Sequence, residues 1–114
     1  MTTRLPELLA PAGSLEALAA ALAAGADAVY TGAGAFNARA AATDLNLDEL
    51  GRAAALCRAY GARLYVTLNI FVHDGELGPA VALARDVLEA GADALIVADP
   101  GLIAAIRREL GDVE

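Results

Sequence analysis

The sequence predicts an α/β fold: four parallel β/α units in simple succession, half of a TIM-type (β/α)8 barrel. Three observations predict it. A glycine punctuation recurs, as Ala24-Gly25-Ala26-Asp27-Ala28, as Ala90-Gly91-Ala92-Asp93-Ala94 and, more loosely, as Tyr60-Gly61-Ala62-Arg63. Each copy runs into a short apolar stretch: Val29-Tyr30, Leu95-Ile96-Val97 and Leu64-Tyr65-Val66. The residues before each copy read as a helix. Glycine closes a helix C-terminus in the left-handed conformation, and a near-continuous apolar run behind it reads as a buried strand. Strands that alternate with helices pair in parallel, and right-handed crossovers bring their C-terminal ends to one edge. A doubly wound open sheet also fits four such units. The succession shows no switch point, which favours the half-barrel; a whole barrel takes eight units and ~250 residues.

The elements follow in order. Leu8-Leu9-Ala10 supplies a short first strand. Ser14 caps a helix from Leu15 to Ala24, with Glu16 set against its positive end. Asn46, with Glu49 three residues on, forms a capping box that opens a second helix, Leu47 to Tyr60. Asp74 starts the third helix, where Pro79 is tolerated only within the first turn. Asp99-Pro100 opens the fourth, with proline at the first helical position and Gly111 as its stop.

Composition narrows the function. The hydrophobic fraction is 58%, but 30 of the 114 residues are alanine, so helices can lie close to a sheet without filling a large cavity. Aromatic residues make up 4% and tryptophan is absent, which disfavours a base-stacking platform. Eight basic residues, all arginine, stand against fifteen acidic ones for a net charge of −7, so the chain as a whole repels phosphate backbones. Cys57 is the one cysteine, which excludes an internal disulfide or a multi-cysteine metal site within the chain. On a helix face with Leu50 and Ala54 it reads as a small apolar side chain. Neither a signal-like apolar region nor a run approaching ~20 apolar residues is present, so the expected location is the cytoplasm, with no membrane partner.

Chemistry belongs on the loops after the strands. Pro11-Ala12-Gly13-Ser14 is a tight turn into a helix whose N–H groups could hold an anion. The longest loop, from about Gly32 to Asn46, contains Phe36-Asn37-Ala38-Arg39. Arg39 could grip a carboxylate or phosphate through two parallel hydrogen bonds, or stand as a solvated arginine. Gly32-Ala33-Gly34 is not a dinucleotide loop, because the third glycine position is Asn37 and no helix starts there. Asn69, at a strand end, can donate and accept. His73 is the lone histidine, either ligand contact or structural. Asp99 is either a carboxylate at the barrel mouth or a helix cap. No Ser/His/Asp set, carboxylate pair or metal-ligand cluster can be assigned.

Several stretches, taken together, resemble a known family. They are Glu7 to Ala17, Ala24 to Tyr30, Phe36-Asn37-Ala38-Arg39, Val66-Thr67-Leu68-Asn69, Val72-His73-Asp74, Ala92 to Val97 and Asp99 to Ile103. In that order and spacing, over nearly the whole chain, they resemble the amino-terminal region of the collagenase-like peptidase family U32. The resemblance implies the start of a β/α barrel, with proteolysis as the usual assignment and a peptide or protein substrate. Some relatives instead support hydroxylation of RNA bases or of quinone precursors, in some cases with an iron–sulfur cluster. The family's cysteine-rich stretch is absent here, so no cofactor is expected in this chain and a cluster belongs to the remainder. Asn37, Arg39, Asn69, His73 and Asp99 match the family pattern and are expected to be substrate-binding positions, with no catalytic role assigned. Ala98 replaces a larger polar residue found in many relatives. Residues 1–114 are thus expected to form one domain, the amino-terminal half-barrel of a larger protein. The contrasting expectation is a non-catalytic module that self-associates through its open strand edges.

Overall fold

A computed structural model describes residues 6–32, 45–68, 74–111 and 113–114. The elements are β1 (Leu9–Pro11), α1 (Leu15–Ala23), β2 (Ala28–Gly32), α2 (Leu47–Tyr60), β3 (Arg63–Leu68), α3 (Leu77–Ala90), β4 (Ala94–Val97) and α4 (Pro100–Leu110), with a one-turn 3-10 segment (Asp74–Glu76) before α3. The four strands form one sheet in the order β1-β2-β3-β4, each pair parallel. Within these strands the order never reverses, so they contain no doubly wound switch point. The fold is α/β, four parallel strands alternating with helices, compatible with half of a (β/α)8 barrel.

Most boundaries fall where the residue chemistry puts them. The Ser14 hydroxyl accepts from the Ala17 N–H at 3.1 Å. The capping box of α2 is complete: Asn46 Oδ1 accepts from the Glu49 N–H at 2.8 Å, and Glu49 Oε1 from the Asn46 N–H at 3.1 Å. The third helix departs from expectation. Asp74 opens the 3-10 turn, and α3 begins three residues later, at Leu77. The shift places Pro79 in the first turn of α3, where its missing N–H costs no helical bond. The first strand is also one residue later than the apolar run implied, because the Leu8 carbonyl serves as the anchor for Asp27 and Ala28. Gly61 closes α2 at φ +71° in the left-handed region, and Gly91 closes α3 at φ +121°.

Consecutive helices pack side by side, α1 on α2, α2 on α3 and α3 on α4, as right-handed crossovers along an unbroken strand order require. They cover one face of the sheet. Leu18 and Leu22 from α1, Leu50, Ala53 and Cys57 from α2, and Val87 from α3 bury Val29, Leu64 and Val66. A second cluster sets Ala80, Val81 and Ala84 of α3 and Leu102, Ala105 and Ile106 of α4 over Leu68. Alanine predominates where helices approach each other, so the layer is thin and close. The opposite face carries the alternate strand residues, among them Tyr30, Tyr65 and Ile96. No described helix lies over it.

Candidate ligand-binding rim

Parallel strands give the sheet two chemically different ends. At the N-terminal end the repeated Gly-Ala-Asp motif acts as a register clamp. The Asp27 N–H donates to the Leu8 carbonyl at 2.9 Å, while Asp27 Oδ2 accepts from the Leu8 N–H at 2.8 Å. Asp93 repeats this on Leu64: its N–H donates to the Leu64 carbonyl at 2.8 Å, and Oδ2 accepts from the Leu64 N–H at 2.8 Å. In the looser copy the position belongs to Arg63. Its N–H donates to the Asp27 carbonyl, but its guanidinium pairs with Glu114 and lies 5.2 Å from the Tyr65 ring centre. The Tyr65 hydroxyl donates to both Glu7 carboxylate oxygens, at 2.9 and 3.1 Å.

These contacts shift the titrating groups in predictable directions. The hydrogen bond from Arg63 holds the Glu114 carboxyl below its ordinary value, and reciprocally raises Arg63. Burial, then the bond to Glu7, pushes the Tyr65 phenol up. Burial, with a smaller contribution from the Asp93 carboxylate, pushes the Cys57 thiol up, so it stays protonated in the core.

The C-terminal end is the candidate site. Gly32, Thr67 and Ile96 stand in register across β2, β3 and β4. The buried Thr67 hydroxyl donates to the Thr31 carbonyl at 3.2 Å, tying two strand ends together. Gly32 is buried at this end of β2. The N-termini of α1, α2 and α4 face the same rim, and their partial positive charge favours an anionic group there.

Of the sequence-predicted site residues, Asp99 is described. It is buried directly after β4, and its Oδ1 accepts from the Gly101 N–H at 2.8 Å and the Leu102 N–H at 3.2 Å. Of the two readings of Asp99, the helix cap is the one these bonds make. Asn37, Arg39, Asn69 and His73 lie outside the described residues, as does Phe36. The Thr31–Thr67 link was missed from sequence, since two threonines in apolar strands read as ordinary β-formers. The aspartate clamps were missed too, although an aspartate two residues after the glycine in both clear copies was the available signal.

The chain does not by itself supply an iron–sulfur ligand set. Such clusters take about four thiolates, and Cys57 is the one cysteine, buried in α2. Among the described residues no group of three or more His, Cys, Asp or Glu side chains could hold a metal. None of the described helices is long and apolar enough to cross a membrane.

Comparison with known proteins agrees with this architecture. The model of peptidase family U32 matches residues 13–114. The tRNA hydroxylation protein P1 of Bacillus subtilis is 38% identical over 112 residues, 98% of this chain and 26% of that protein. The 23S rRNA 5-hydroxycytidine synthase of Escherichia coli is 42% identical over 97 residues, 85% of this chain and 15% of its own length. A collagenase of Porphyromonas gingivalis is 40% identical over 93 residues, 81% of this chain and 22% of its own. The chain thus spans about a quarter or less of these relatives. A solved U32 peptidase structure superposes with a TM-score of 0.67 at 15% identity, covering 96% of this chain and 47% of that one, which is a likeness of fold. On the family match and the shared order of strands and helices, the chain belongs to peptidase family U32.

Proposed function

We propose that residues 1–114 are the amino-terminal half-barrel of a U32 protein that supports hydroxylation of RNA bases, and that the rim of this half receives part of the nucleotide. The observation that carries this reading is the extent of similarity. The relatives named for tRNA hydroxylation, from Bacillus subtilis and Escherichia coli, align over 98% and 95% of the chain at 38% identity. The rim's chemistry is compatible, because helix N-termini there favour a phosphate in a chain whose net charge is −7. Arg39 is assigned to grip that phosphate with two parallel hydrogen bonds. Asn37 and Asn69 are assigned to the edges of the base or sugar, and His73 and Asp99 to the pocket wall. An RNA substrate places the protein in the cytoplasm. Any iron–sulfur cluster would be held by residues other than these.

The second reading is peptide hydrolysis, favoured by the similarity to the collagenase. One experiment separates the two. The gene, with its native flanking sequence, is expressed in a host stripped of its own U32 genes. Nucleosides from tRNA and 23S rRNA are quantified by mass spectrometry, and gelatin cleavage is assayed in parallel. Restored hydroxylated nucleosides, lost again in Arg39→Ala, are the expected result. Gelatin cleavage with unchanged nucleosides would establish the peptidase reading instead.

A further inference from the structure

Two of the chain's three tyrosines stand side by side on the helix-free face of the sheet. Tyr30 of β2 and Tyr65 of β3 are register partners, and both are half-buried. Neighbouring strands lie about 4.8 Å apart, so the two side chains occupy adjacent columns of one face. Their surroundings differ. The Tyr65 hydroxyl donates to both Glu7 carboxylate oxygens, and the Arg63 guanidinium lies 5.2 Å from its ring centre. The Tyr30 hydroxyl is bonded to none of the described residues. Beyond Tyr30, the next residue of β2 on this face is Gly32, so no side chain of β2 separates the ring from the strand C-terminal end. Level with Gly32, β3 contributes Thr67, whose hydroxyl is held by the Thr31 carbonyl.

We infer that Tyr30 stacks against a nucleobase of the RNA substrate, with Tyr65 as the fixed ring beside it. The inference rests on the RNA reading above and names the part of the nucleotide that this face receives. A base that undergoes chemistry is first taken out of its own stack, and side chains in the pocket replace the stacking it loses. Among the described residues, Tyr30 and Tyr65 are the aromatic side chains on the sheet face that runs up to the rim. The third tyrosine, Tyr60, is the last residue of α2. An aromatic fraction of 4% is too low for an extended stacking surface, yet one base needs one ring. A base is also uncharged, so the acidic groups of the chain do not oppose it as they oppose a phosphate. The bonds of Tyr65 to Glu7 fix one ring in place, whereas the Tyr30 phenol keeps its donor and acceptor for the edge of a base.

The test uses the protein with its native flanking sequence. The probe is the RNA that the nucleoside assay identifies, tRNA or 23S rRNA, purified from the host stripped of its own U32 genes. Dissociation constants are measured by filter binding at one salt concentration, alongside urea midpoints and nucleoside mass spectrometry. Tyr30→Leu should raise the dissociation constant roughly tenfold, about 1.4 kcal/mol, with the urea midpoint unchanged and the hydroxylated nucleosides reduced. Tyr30→Phe, which keeps the ring, should stay close to wild type, and Tyr60→Leu, on the exposed end of α2, should leave binding unchanged. A lowered midpoint in Tyr30→Leu would overturn the inference whatever the affinity, because the ring is then packed against the rest of the protein. A loss as large in Tyr30→Phe or in Tyr60→Leu would overturn it too. Unchanged affinity and nucleosides in Tyr30→Leu sink the stacking role alone and leave the RNA reading intact. A wild-type protein that restores no hydroxylated nucleoside sinks the RNA reading, and the stacking role with it.

Discussion

Adding one methyl group at Gly91 should destabilise the chain more than adding it at Gly61, although both glycines end helices with positive φ. At Gly91 the backbone sits at φ +121°, and an added Cβ would lie 2.6 Å from the Ala54 Cβ of α2. At Gly61, φ is +71° and nothing lies within 4 Å. For Gly61→Ala only the left-handed backbone is strained, at about 1–2 kcal/mol. Gly91→Ala adds rarer backbone strain of about 1–3 kcal/mol to an overpacking cost of about 1–3 kcal/mol, on the order of 4 kcal/mol in all. Ala54 is a fully packed neighbour on a helix, so the contact cannot be relieved by rotating a side chain. Urea unfolding reads the difference: with slopes of about 1–3 kcal/mol per molar, the Gly91→Ala midpoint should fall by roughly 1 M or more. Ala54→Gly in the Gly91→Ala background should recover the clash, less about 0.5–1 kcal/mol for glycine inside a helix. Equal losses at Gly91 and Gly61, or additive behaviour of Ala54→Gly, would show that α3 does not close against α2 as described.

Three further outcomes follow from the same geometry. Asp93→Ala should cost about 1–3 kcal/mol by leaving the Leu64 N–H without its carboxylate, and Asp93→Asn distinctly less because its amide oxygen can still accept; urea midpoints for the pair decide this. Glu114 has a lowered carboxyl pKa in the fold, so its bond to Arg63 contributes fully above the ordinary carboxylate range and is lost as pH falls through the depressed value; Glu114→Gln should flatten that acid limb in midpoints measured from pH 6 to pH 3. Asp99→Asn should keep the cap on α4, since Asn and Asp cap equally well, whereas Asp99→Ala should cost about 1 kcal/mol; if nucleoside hydroxylation nevertheless falls in Asp99→Asn, the carboxylate has a ligand role beyond capping.

The fold could be read from the sequence because its signals are local. Gly25, Gly61, Gly91 and Gly111 all take positive φ, and each marks a helix end. Ser14, Asn46 and Asp99 each bond the N–H groups that their spacing implied. The start of α3 was less readable because its neighbourhood holds competing signals: Asp74 can initiate a turn, and Pro79 forbids a helix that begins much earlier than Leu77. Parallel order could be inferred but not register, since register depends on which carbonyl each strand meets. Asp27 and Asp93 settle it by holding Leu8, just before β1, and Leu64, the second residue of β3, at both N–H and C=O. The site was read less fully for a different reason. The sequence assigns its candidate side chains to strand-end loops, where nothing periodic constrains a residue, so a lone arginine or histidine carries little information without a partner.

The clamps engage part of the negative charge of an acidic chain. Glu7, Asp27, Asp93 and Glu114 are engaged at the N-terminal end of the sheet, each holding a backbone N–H, a phenol or a guanidinium. Helix N-termini collect at the opposite end, where Ser14, Asn46 and Asp99 occupy part of their donor capacity. The rim carries acidic groups of its own: Glu16, Asp48 and Glu49 stand in the first turns of α1 and α2, and Asp99 caps α4. An anionic ligand approaching from the strand C-termini therefore gains from the helix N–H groups and is opposed by these carboxylates, so the balance there is set locally and not by the net charge of −7.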